Sequence, residues 1–291
     1  MIQINDIVGR ISYGSDILFR VIDFREKNGT KQALLYGEEY RLIADSHFDD
    51  LVKIHKEERS TRHQETKEQQ EQSNRLFTQD LELQQQKNGY ESSNGYRYSG
   101  DYFQIPGKVL HVDGDASYLR KCLDLYERFG IPVNGIYCSE KEMPYKIGNL
   151  LDHFRPDILV VTGHDSYSKS KGNISDIQAY RHSKEFVETV REARKKVASL
   201  DHLIIFAGAC QSHFESLIQA GANFASSPSR VNIHALDPVY IVGKVSFTPF
   251  RDHLHVWDVL RNTLTGEKGL GGIETRGVLR TGLPYKSNQE E

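Results

Sequence analysis

A thiol and an imidazole each stand just past a short apolar run. Ile158-Leu159-Val160-Val161-Thr162 leads into Gly163-His164-Asp165, and Leu203-Ile204-Ile205-Phe206 leads into Ala207-Gly208-Ala209-Cys210-Gln211. Short, β-branched, Gly-bounded runs are those of strands buried on both faces of a parallel sheet. The carboxyl ends of such strands line the ligand crevice of an open α/β sheet. Cys210 and His164 are therefore the minimum equipment for thiol catalysis: a sulfur to attack a carbonyl and an imidazole to move the proton. Asp165 is a weak candidate to orient that imidazole, because adjacent residues rarely face the same point. Ser212-His213-Phe214-Glu215 fits a capping box and predicts a helix N-terminus two residues beyond the sulfur. Such an end favours thiolate, and its amides, with that of Cys210, can hold an oxyanion. Gly163 would let a substrate backbone approach closely. Set against this, free cysteine also packs as a small hydrophobe, and His164 can be a core imidazole satisfied by backbone.

The surrounding pattern predicts the elements that hold these residues. From Lys108 onward, strand-like and helix-like stretches alternate. Val109 to Val112 is followed by a helix from about Ala116 to Phe129 with Leu119, Cys122, Leu123 and Tyr126 on one face. Val133 to Cys138, a helix near Tyr145 to Phe154, and the His164 strand come next. An amphipathic helix carrying Phe186, Val187, Val190, Ala193 and Val197 precedes the Cys210 strand. A helix ending at Gly221 and strand-like Asn223–Ser226 and Val239–Val242 complete the series. This alternation predicts a three-layer α/β domain with a mostly parallel sheet over 106–291. Residues 1–52 read as a small SH3-like β module of four strands, ending with Tyr40–Ile43, whose role is docking or purely structural. Residues 53–105 are polar and Gln-rich, a helical or flexible linker. Its arginines, Arg59, Arg62, Arg75 and Arg97, are candidate cleavage points.

Bulk properties remove several classes. Over 291 residues the net charge is −3, which argues against nucleic acid or a membrane surface as the main partner. No apolar run approaches a bilayer span, and Met1–Asp6 lacks the features of a secretory signal, so a soluble cytoplasmic protein with free thiols is expected. Cys122, Cys138 and Cys210 form no disulfide framework. Cys210 with His213, or His253 with His255, lack the paired spacing of a zinc site, so no metal or other cofactor is expected. The tract Gly266, Gly269, Gly271, Gly272 and Gly277 has no phosphate-loop spacing.

Four blocks carry a family resemblance: Lys108–Asp115, Val161–Tyr167, Phe206–Glu215 and Ala225–Pro238. They resemble the YabG family of sporulation-specific proteases, as do Phe19-Arg20-Val21 and Arg41–Asp45, so the resemblance spans the chain. It implies a cysteine endopeptidase acting on spore coat and cortex-associated proteins with preference for Arg before the cut. By carry-over Cys210 is the nucleophile and His164 its partner. The implied location is the mother-cell cytoplasm at the forming coat, with self-processing in the linker as a further expectation. The His-then-Cys order is also similar to caspases, clostripain and gingipains, which implies a caspase-like domain. That group has Gly after His, whereas here Gly163 precedes His164 and Asp165 follows. Arg preference would require a carboxylate for the guanidinium. Asp113, Asp115 and Asp237 are the candidates, with helix capping an equal alternative for Asp115. Ser226 and Ser227 resemble the strand lining the substrate channel. Two other functions stay open. A glutamine amidotransferase-like hydrolase would use His213 or His234, and a spore-coat scaffold would need no thiol.

Overall fold

In the central sheet, successive residues of each buried strand face opposite apolar layers. The computed structural model describes residues 2–27, 29–92 and 103–282. Val109, Val160, Phe206 and Phe224 enter one core, while Leu110, Leu159, Ile205 and Ala225 enter another. This period of two is what a sheet covered on both faces demands. The strands are β7 (Val109–Asp113), β8 (Val133–Tyr137), β9 (Ile158–Thr162), β10 (Ile204–Ala207), β11 (Phe224–Ser226) and β13 (Leu270–Gly272). Their order is β13-β11-β10-β9-β7-β8, parallel except for β13. Helices α2 (Ala116–Arg128) and α6 (Asp237–Phe247) cover one face. Helices α3 (Met143–Phe154), α4 (Ser183–Lys196) and α5 (Phe214–Ala220) cover the other. The domain is the expected three-layer α/β arrangement. Short elements finish its rim: β12 (His253–Leu254), α7 (Val256–Leu260), β14 (Thr275–Arg276) and β15 (Arg280–Gly282), the last paired with β6 (Phe103–Ile105).

One expected strand is a helix. Val239–Val242 reads as β-branched, yet it lies in α6, where every residue is buried. A helix packed on all sides loses the amphipathic stripe that marks helices in sequence. Pro238 at its first turn sets the helical φ where no N–H is required.

The N-terminal residues form an antiparallel sheet of five strands, ordered β4-β3-β2-β1-β5. These are β1 (Ile7–Arg10), β2 (Phe19–Lys27), β3 (Thr30–Gly37), β4 (Ile43–His47) and β5 (Leu51–Lys53). The strand expected at Tyr40–Ile43 begins only at Ile43. The connection before it turns inward and buries Arg41 completely. The Gln-rich stretch forms α1 (Lys56–Ser92), and it is anchored. Phe77 is fully buried against Phe129 and Tyr240, with ring centroids 4.5 and 5.6 Å away. Asn74 accepts a 2.7 Å hydrogen bond from Tyr240, and Asp80 pairs with Lys244 at 2.6 Å. One apolar cluster thus runs from Val8, Val21 and Leu35 through Phe77 to Val160 and Val242. Arg59, Arg62 and Arg75 lie on α1, and Arg97 lies outside the described residues.

Candidate active site

Strand register puts the two candidate residues at equivalent positions past the ends of neighbouring strands. Val161 pairs with Ala207 on adjacent parallel strands, and the Gly208 N–H continues the ladder to the Val161 carbonyl at 3.0 Å. His164 and Cys210 each follow three residues past that pair. Gly208 adopts φ 109°, and a Cβ there would collide with the Ser226 hydroxyl, so glycine is required where the chain leaves β10.

His164 is held between two carboxylates. Its Nε2 lies 3.1 Å from Asp115 Oδ2 without the alignment of a hydrogen bond, and its Nδ1 lies 3.5 Å from Glu140 Oε1. The same Glu140 oxygen accepts the His164 main-chain N–H at 2.8 Å. Burial is the largest influence on all three groups and opposes charge on each. Their mutual attraction outweighs it, so His164 lies above its usual 6.5 while Asp115 and Glu140 lie below the ordinary carboxylate range. Both carboxylates thus favour the imidazolium form of His164. The rings of Tyr36 and Tyr118 flank it at 6.0 and 6.3 Å.

Cys210 is the opposite case. Its sulfur is fully buried, accepts the Ile233 N–H at 3.4 Å and faces the Ile233 carbonyl at 3.6 Å. Burial pushes the thiol up to about 12; the backbone of Ile233 and the nearby Arg41 charge offset it only partly. The expected thiolate-favouring helix end is displaced. Helix α5 begins at Phe214 with His213 as its cap, Nδ1 accepting from the Ser216 N–H at 3.3 Å. Ser212 instead accepts from the Ala209 N–H and donates to Asp165, both at 2.9 Å. Of the amides expected to hold an oxyanion, those that follow Cys210 are bonded internally: Gln211 to Val231 (3.0 Å), Ser212 to Ala209 (3.4 Å) and His213 to the Ser183 hydroxyl (2.8 Å).

The three candidate carboxylates for a guanidinium separate clearly. Asp113 is fully buried and bound by Arg41 at 2.5 Å, with His111 at 3.4 Å. Arg41 outweighs the opposing effect of burial and keeps Asp113 well below the usual carboxylate range. Asp237 is fully buried too, accepting from the amides of His234 (3.0 Å) and Leu264 (2.8 Å) and from the Thr265 hydroxyl. Burial pushes it up to about 6. Neither is open to a substrate. Asp115 remains at the site while capping α2, since Oδ1 accepts from the Ser117 and Tyr118 amides at 2.7 and 2.9 Å. The capping reading of Asp115 is the one seen, and its Oδ2 lies against Tyr36 and His164.

Gly163 faces the protein's own carboxylate: a Cβ there would stand 2.5 Å from Glu140 Oε1. Ser226 donates to the Ala209 carbonyl at 2.7 Å, and Ser227, at φ 62°, donates to Val231 at 2.6 Å. Both serines brace the elbow that carries Cys210. Asp165 does so as well, accepting from Ser183, Ser212 and the His182 amide (2.8 Å), so its oxygens are engaged away from the His164 ring. His234 is buried, accepts the Leu236 N–H at 3.2 Å, and is pushed down to about 3 by burial. His213 is spent on its cap and the Ser175 carbonyl at 3.2 Å. A histidine following the cysteine, as an amidotransferase would use, is thus committed elsewhere.

Glu140, Tyr36 and Arg41 are site residues that sequence reasoning missed. Tyr36, on β3, donates to Asp115 Oδ2 at 2.8 Å. Arg41 lies over the Tyr118 ring at 5.2 Å and donates to the Ala235 carbonyl at 3.2 Å. The N-terminal sheet therefore builds part of the site. The available signal was the pair Gly114 and Gly163, because a Cβ at either would strike Glu140. A cleft of about 840 Å³ opens between Leu42–Asp45 of the N-terminal sheet and the Ser166–Lys171 segment, with Gln211 and Asn232 on its wall but neither Cys210 nor His164.

The sequence comparisons agree with this arrangement of one continuous unit. The family model described as YabG peptidase U57 matches residues 3–284. The sporulation-specific protease YabG of Bacillus subtilis (strain 168) is 61% identical over 287 residues, covering 98% of this chain and 99% of that protein. No solved structure matches the chain. With a match that runs through the N-terminal sheet, α1 and the α/β domain alike, the chain belongs to the YabG peptidase family.

Proposed function

We propose that this peptidase is a cysteine endopeptidase of sporulation, cutting spore coat and cortex-associated proteins after Arg with Cys210 as nucleophile and His164 as proton donor. The observation that carries the reading is the matched position of the two residues past a paired point on neighbouring parallel strands. The arrangement of β7 to β13 supports a caspase-like domain, and the relative's name supports the sporulation setting. The proposed location is the mother-cell cytoplasm at the forming coat.

In the resting site burial keeps the thiol neutral, while Asp115 and Glu140 favour the protonated form of His164. Catalysis must begin by uncovering the sulfur from Ile233, which removes the burial penalty and releases the thiol proton to solvent. The thiolate then forms a bond to the scissile carbonyl carbon. As the C–N bond breaks, His164 gives its proton to the departing amine. Water attacks the thioester, neutral His164 takes its proton, and the acid product leaves with Cys210 again a thiolate. Asp115 is the carboxylate available to the substrate Arg.

The test is a peptide panel varying the residue before the cut, with Cys210→Ala and His164→Ala beside the wild type. Arg-selective cleavage should vanish in both variants while circular dichroism stays unchanged. Full activity in Cys210→Ala would overturn the thiol mechanism.

A further inference from the structure

The two carboxylates on His164 are not equivalent. Glu140 Oε1 lies 3.5 Å from ring Nδ1 and accepts the main-chain N–H of the same residue at 2.8 Å, so a backbone hydrogen bond fixes its place beside the ring. Gly114 and Gly163 leave the room that this carboxylate fills, and a side chain at either would expel it. Asp115 is bound differently. Its Oδ1 caps α2 and its Oδ2 already accepts the Tyr36 hydroxyl, while Nε2 meets it without hydrogen-bond alignment. If His164 leaves, Asp115 still has three donors. Glu140 would lose the ring and keep the main-chain N–H.

We propose that Glu140 is the positioning residue of this site, holding the His164 ring through Nδ1 during turnover, while Asp115 is a resting partner that releases Nε2 when substrate binds. The proposal rests on the thiol-protease reading above and assigns the parts within it. Nδ1 stays occupied, so Nε2 is the nitrogen that delivers a proton to the leaving amine. The arriving guanidinium takes the place of the imidazolium on Asp115, one cation for another, so recognition of Arg and release of the proton donor become one event. The ionisable groups facing the ring are Asp115 and Tyr118 from α2, Glu140 from the β8–α3 connection and Tyr36 from β3, with His182 acting on Glu140.

The experiment compares wild type, Glu140→Gln, Gly163→Ala, Asp115→Asn and Cys210→Ala on peptides with Arg or its neutral isostere citrulline before the cut. Full pH profiles are recorded. Glu140→Gln should lower kcat about 10- to 100-fold, as expected when a proton donor loses its orientation. It should also move the basic limb of kcat/KM to lower pH and keep the Arg-over-citrulline ratio. Gly163→Ala, which displaces the carboxylate without removing it, should lower kcat in the same direction. Asp115→Asn, which still can cap α2, should raise KM for Arg peptides, lose the ratio, and change kcat by less than about threefold. Titration of the His164 ring by NMR gives a second readout, and Glu140→Gln should lower its pKa. Wild-type kcat and an unmoved basic limb in Glu140→Gln, or an equal kcat loss in Asp115→Asn, would overturn the proposal alone. Cleavage surviving Cys210→Ala would overturn the thiol reading beneath it.

Discussion

At His164 the proton is held by Asp115 and Glu140 against the penalty of burial. Because the folded pKa lies above the usual 6.5, this stabilisation is complete below 6.5 and is lost as pH rises through the folded value. The two carboxylates, lowered in the fold, lose theirs as pH falls through their folded values. His164→Gln should therefore lower the thermal midpoint more at about pH 5.5 than at about pH 9, measured by differential scanning calorimetry. An equal drop at both would mean the ring packs without its charge. Arg41 poses a related problem with no exposure at all. Arg41→Ala strands the Asp113 carboxylate in the core, and urea unfolding should show a loss of about 3–5 kcal/mol. Adding Asp113→Asn, which removes the buried charge, should recover part of that loss.

At the level of elements, the segment between β11 and α6 decides whether the thiol can react. Ile233 covers the sulfur, and the segment is tied down at Arg230, which bonds the Tyr180 hydroxyl at 2.7 Å, the Ser227 carbonyl at 3.0 Å and the Glu215 carboxylate. Ser227 and Arg230 both hold positive φ, so the cover is a set of turns rather than regular structure. Arg230→Ala should speed alkylation of Cys210 by iodoacetamide about tenfold, equivalent to about 1.4 kcal/mol in opening. Peptide mass spectrometry separates Cys210 from Cys122 and Cys138, and an unchanged rate would assign the cover to packing around Ile233 instead. The helices α2 and α4 and the strands β9 and β10 were legible because their apolar periods are local in sequence. Helix α6 was not legible, since burial on every side erased its period.

Across the whole molecule, the N-terminal sheet, α1 and the α/β domain share one apolar cluster. A polar, Gln-rich helix contributes to it through few residues, which is why composition alone suggests a spacer. Phe77→Ala should cost about 3–5 kcal/mol in urea unfolding, a value ordinary for a core aromatic and unexpected for a linker. Removing residues 2–54 should abolish peptide cleavage, because Tyr36 and Arg41 leave with them and the cluster is opened to water. Retained activity in that truncated chain would return the N-terminal sheet to a docking role.

The sequence by itself determined the alternation of strands and helices and the positions of Cys210 and His164 just past two buried strands. Those follow from hydrophobic periods and glycines, whose physical causes act over a few residues. Tertiary structure alone decided the protonation and access of the site. Ile233 covers the thiol, Glu140 and Asp115 favour a protonated imidazole, and Arg41 takes Asp113 out of contention while the Thr265 loop engages Asp237. Burial and pairing depend on groups brought together from distant parts of the chain, and no local pattern encodes those encounters.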